Sequence, residues 1–102
     1  MKQPIACSLD APDAASQIDE WRQVLDALVT AVEWVDPTHV RMPLRGDAGA
    51  VATLVALAQR EAACCPFFRF SIDVDADGLA FTASVPADAA PILEQFAGLA
   101  GR

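Results

Sequence analysis

Glu61, Cys64 and Cys65 are the residues of this chain whose types and spacing can do concentrated chemistry. On a helix they stand at i, i+3 and i+4, which puts the carboxylate and both thiols on one side of a single turn. Thiolate sulfur favours soft cations, so the pattern reads as a candidate site for a thiophilic metal or metalloid. Cys7, on a predicted strand, would bring a third sulfur; His39 is a further candidate ligand that nothing in the spacing places nearby. Structural zinc sites use spaced cysteine pairs in a tetrahedral set, and adjacent cysteines depart from that. A two- or three-coordinate thiophilic ion, including arsenic(III) or mercury(II), tolerates the arrangement better; zinc and copper(I) are the other candidate ions.

Two other chemistries compete. A cysteine nucleophile or redox centre needs a stabilised thiolate. These thiols fall at the C-terminal end of a predicted helix, where the dipole disfavours anions and Glu61 adds to the penalty. Arg60 and Arg69 offset part of it. The third reading is structural: cysteine behaves as a small buried hydrophobe, and Cys7 on the apolar side of a strand fits that role. Trp21 reads as core, and Trp34 as either core or the wall of a ligand pocket. Phe67, Phe68 and Phe70 are packing residues, with Phe67 placed to cover the thiols.

The elements that position these residues follow from periodicity. Ile5, Cys7 and Leu9 alternate as a short strand. Asp10-Ala11-Pro12-Asp13 is a helix start, and Ile18, Trp21, Val24, Leu25 and Leu28 recur at helical spacing as far as about Thr30. Asp36-Pro37-Thr38 marks a turn before a strand with Val40, Met42 and Leu44 inward; Val32–Val35 is its hairpin partner or a frayed helix end. Pro43 suggests a sheet edge. A second helix runs from Asp47 to Cys65, buries Val51, Leu54, Val55, Leu57 and Ala58, and stops at Pro66. Phe68, Phe70, Ile72 and Val74 then alternate with polar residues, turn at Asp75-Ala76-Asp77-Gly78, and continue into Leu79, Phe81, Ala83 and Val85. A last helix, with Pro91 in its first turn, buries Ile92, Leu93, Phe96 and Leu99. The expected fold is a single α+β domain over residues 1–102: a mostly antiparallel sheet of four or five strands with three helices packed mainly on one face.

Composition narrows the partners. With 102 residues, 54% hydrophobic and 21% charged, the chain is too apolar for disorder. No apolar run approaches the roughly 18 residues of a membrane helix. Met1-Lys2-Gln3-Pro4 lacks the apolar centre of a signal peptide, so a cytoplasmic address is expected. Net charge is −7, which argues against direct nucleic-acid binding, since phosphate contacts need basic residues. Three cysteines without a secretory signal argue for thiols rather than a disulfide framework. The expected partner is a metal ion or small-molecule ligand, and self-association fits so small and apolar a chain.

Ile5-Ala6-Cys7-Ser8-Leu9, Glu20-Trp21-Arg22 and above all Glu61-x-x-Cys64-Cys65-Pro66-Phe67-Phe68-x-Phe70 resemble a family of small, largely uncharacterised bacterial proteins. Similar domains form tails behind the DNA-binding part of some MerR-type metal- or stress-responsive regulators. The family pattern usually has threonine where Ser8 stands. The resemblance implies that Cys7, Glu61, Cys64 and Cys65 form one motif set, in a stand-alone ligand- or metal-binding module.

Overall fold

The computed structural model describes residues 11–46 and 48–101. The strand expected at Ile5–Leu9 and the helix-start residues Asp10 and Asp47 lie outside that range. The elements are α1 (Ala11–Leu28), β1 (Glu33–Asp36), β2 (His39–Leu44), α2 (Ala48–Cys64), β3 (Arg69–Asp75), β4 (Gly78–Ser84), a short 3-10 turn (Ala87–Ala89) and α3 (Ala90–Gly98). The four strands form an antiparallel sheet in the order β1-β2-β4-β3. The α+β expectation holds.

Helix α1 forms because its apolar residues make one stripe: Trp21 and Leu25 are fully buried, Leu28 nearly so, and Ile18 and Val24 partly. It ends at Leu28, two residues short of the expected Thr30. There the chain zips onto the end of β2: Thr30 N–H donates to Pro43 O at 2.9 Å and Arg45 N–H to Leu28 O at 2.8 Å. Gly46 closes this return with φ 115°, and a Cβ there would meet Leu28 Cδ2 at 3.1 Å and Ala50 Cβ at 3.2 Å. Only glycine accepts both the backbone angle and the contact.

The segment Val32–Val35 resolves as a strand, β1, joined to β2 by the turn at Pro37-Thr38. Asp36 Oδ1 accepts the Thr38 N–H at 2.8 Å, an Asx turn. Pro43 is not on an edge strand: β2 is an inner strand and Pro43 faces Ala80 of β4. In an antiparallel ladder a residue's N and C=O point to the same side. Pro43 O accepts from Thr30, so the missing N–H also faces that side, away from β4 and before the first residue of β1 pairs.

The sheet face bearing Val40, Met42, Phe81 and Ala83 packs beneath the helices, which supply Trp21, Leu25, Leu54, Leu57, Leu93 and Phe96. Rings dominate its centre. Trp21 meets Phe96 edge-on at 4.9 Å and stacks against Phe70 at 5.9 Å; such pairs add to the burial term. Three expectations differ in detail. Val55 on α2 is 38% exposed and Val74 on β3 is 75% exposed, because both lie toward the open side of β3. Ala80, expected on the polar face, is buried, held between Pro43 and Asp73 on the neighbouring strands.

Phe96 touches Trp21, Phe68, Phe70 and Phe81. Phe96→Ala is expected to cost about 3–5 kcal/mol in urea unfolding; a loss under about 1 kcal/mol would show that the ring cluster is not the centre of the core.

Candidate functional site

The last turn of α2 carries the site. Glu61 is fully buried, and a buried carboxylate must find donors. Two come from α1, one turn apart: Gln17 Nε2 donates to Glu61 Oε1 at 2.7 Å and Trp21 Nε1 donates to the same oxygen at 3.1 Å. Gln17 is itself buried. Sequence reading placed Trp21 in the core and Glu61 at the site, and did not join them. The available signal was Gln17, a polar residue four positions before Trp21 on the apolar stripe of α1. Among the described residues no buried side-chain nitrogen or oxygen lacks a hydrogen-bond partner, so the cluster is satisfied as it stands.

Cys64 closes α2 and is half-buried, while Cys65 follows it and is fully buried. Cys65 continues the helical bonding by one residue, its N–H donating to Glu61 O at 2.7 Å. Its own carbonyl accepts the Phe68 N–H at 3.0 Å, folding Pro66 and Phe67 into a turn. Thus Glu61 and Cys65, at i and i+4, are drawn into the interior, and Cys64 sits on the flank between interior and solvent. Cys65 is disulfide-bonded and Cys64 retains its thiol. That corrects the expectation of thiols throughout: a buried half-cystine is compatible with a short chain lacking a disulfide framework. Cys7 lies outside the described residues. Among those described, no group of three or more His, Cys, Asp or Glu side chains gathers in metal-binding proximity.

No family model, curated protein or solved structure matches this chain.

The cations near the motif are placed differently from each other. Arg60 turns to α1 and pairs with Glu20 at 2.9 Å, about half exposed, where such a pair contributes little. Arg69 lines a cavity of about 390 Å³ together with His39, Pro66, Phe67, Ser84 and Pro86. His39 thus adjoins the turn that follows the cysteines, which the sequence did not disclose. Its Nδ1 lies 2.8 Å from Asp36 Oδ1; a contact of this kind fixes ring orientation. Trp34 is 44% exposed and lines another cavity with Asp36, Pro37, Ala90 and Glu94, so it is a wall residue rather than core. No helix among the described residues is long and apolar enough to cross a membrane.

Asp36 has its carboxyl held below the ordinary aspartate value, first by the hydrogen bond with His39, then by the Thr38 N–H and hydroxyl. A depressed carboxyl favours the fold above its ordinary value, and that contribution is lost as pH falls through the lowered one. An NMR titration of Asp36 should give a midpoint below the ordinary value, and His39→Ala should move it upward. A midpoint at or above the ordinary value would contradict the contact.

Proposed function

We propose that this chain is a binding module for a thiophilic metal or metalloid ion, held in the reduced protein by Cys64 and Cys65. Cys7 is the proposed third ligand, and Glu61 the carboxylate that ligates or accepts a thiol proton as the sulfurs coordinate. The observation that carries the reading is the disulfide at Cys65. It sets a bonded sulfur at the buried end of α2, four residues from a buried carboxylate. Once reduced, Cys64 and Cys65 offer paired sulfurs, a donor set suited to thiophilic ions such as zinc, copper(I), arsenic(III) and mercury(II).

Electrostatics support a cation there. The last turn of α2 has no basic residue, and a helix C-terminus attracts positive charge. Bound metal also keeps a coordinating thiol deprotonated, which removes the obstacle that helix position raises against a bare thiolate. The resemblance to regulator tail domains points the same way, toward sensing or storage of such an ion. In the oxidised form Cys65 is committed to sulfur, so uptake is gated by reduction.

The disulfide also favours a second reading, in which the cysteines form a redox or nucleophilic centre and Cys64 attacks the Cys65 disulfide. Stoichiometry separates the two. Native mass spectrometry of protein reduced with a dithiol and then freed of it, titrated with copper(I), zinc, arsenic(III) and mercury(II), should show one ion per chain. Oxidised protein, Cys64→Ser and Cys65→Ser should each lose that uptake. Undiminished uptake in both serine variants, or none in the reduced wild type, would end the metal reading.

A further inference from the structure

We propose that the cavity beside the Pro66-Phe67 turn is a second ligand site, which binds a small organic carboxylate. Arg69 and Ser84 take the carboxylate, and Phe67 and Pro86 take the apolar body. The polar residues of this cavity stand in one row across the sheet. Ser84 of β4 is in register with Arg69 of β3 on one side and with His39 of β2 on the other. Directly opposed residues share a face, here the polar one, and the row spans about 10 Å over three strands. The cavity above it measures about 390 Å³, within the size range of small-molecule sites.

Backbone hydrogen bonds hold its walls. Phe68 N–H donates to Cys65 O at 3.0 Å, which fixes the Pro66-Phe67 turn. Val85 N–H donates to Thr38 O at 3.1 Å, which fixes the approach to Pro86. The two prolines stiffen the chain further. The walls are thus in place before a ligand arrives, and binding spends little on ordering them.

Charge decides which end of a ligand goes where. Arg22, Arg41 and Arg60 each pair with a carboxylate of the chain. Arg69 lines the cavity and has no ion pair among the described residues. A guanidinium presents a planar fork that matches the two oxygens of a carboxylate, and the Ser84 hydroxyl beside it is a further donor. The other end of the row is different. Asp36 accepts from Thr38 N–H at 2.8 Å and from the Thr38 hydroxyl at 2.9 Å, and lies 2.8 Å from His39 Nδ1. A carboxylate only accepts, so the His39 proton sits on Nδ1 and Nε2 of the neutral ring is an acceptor. The anionic end therefore belongs at Arg69 and not at His39. One charge suits the site better than two, because a net charge of −7 opposes each negative charge brought to the chain. Pro66, Phe67 and Pro86 call for an apolar body, which an inorganic anion lacks. None of the residues proposed to hold metal is used, and the two proposals fail separately.

An NMR titration of the isotope-labelled protein with benzoate, without metal, tests the site. Saturable shifts centred on Phe67, Arg69 and Ser84 are expected, with a Kd of about 1 mM or tighter. Arg69→Gln changes an exposed side chain and should weaken binding at least about tenfold; the same spectra report whether the fold persists. Arg45→Gln, just past the opposite end of β2 from His39, should leave the affinity unchanged. Benzamide has the shape without the charge and acetate the charge without the ring; each should bind at least about tenfold more weakly than benzoate. Benzoate shifts that do not saturate would overturn the proposal. So would undiminished affinity in folded Arg69→Gln, equal losses in Arg45→Gln, benzamide binding as tightly as benzoate, or inorganic phosphate binding more tightly.

Discussion

One carboxylate organises the end of the molecule where the chemistry is concentrated. Glu61 has no solvent contact, and its Oε1 takes hydrogen bonds from Gln17 and Trp21 on the facing helix. Burying such a group without donors costs several times what an ordinary hydrogen bond returns. The two helices are therefore bound to one relative position. Any slide of α2 along α1 would strand the oxygen or its donors. Trp21 is the hinge of this arrangement, because its indole N–H serves the polar cluster while its rings sit among Phe70, Phe81 and Phe96. The polar contact and the aromatic core are thereby one structure.

The consequences reach Cys64 and Cys65. They follow Glu61 by one helical turn, so the position set by the carboxylate is inherited by both sulfurs. Cys65 is carried inward and Cys64 is left at the margin. Pro66 ends the helix and the chain turns into β3, whose first residue, Arg69, lies in one row with Ser84 and His39 across the sheet. The end of α2, the turn after it and the sheet's polar face thus converge, and this convergence gives the motif a defined setting.

Much of this was legible in the residues. The stripe from Ile18 to Leu28 and the alternation on either side of Asp75–Gly78 each encode a local period, and both elements form where the period runs. The Glu61-Cys64-Cys65 turn was legible as a helical face. What escaped reading depends on lateral neighbours. Pro43 looked like an edge residue because local sequence does not say which strands flank it. Val55 and Val74 fit the apolar pattern, yet they lie beside an open edge. The role of Gln17 depends on Glu61, forty-four positions away, which supplies its acceptor.

Equilibrium urea unfolding of reduced Glu61→Leu, read together with the alkylation rate of Cys65, tests the anchoring role most directly. Leucine fills much of the volume but leaves the Gln17 and Trp21 donors without their acceptor. A loss of about 2–5 kcal/mol, with Cys65 modified faster than in the wild type, is the predicted result. Unchanged or higher stability, with Cys65 as protected as before, would show that apolar packing alone holds α2 in place and that Glu61 does not organise this end of the fold.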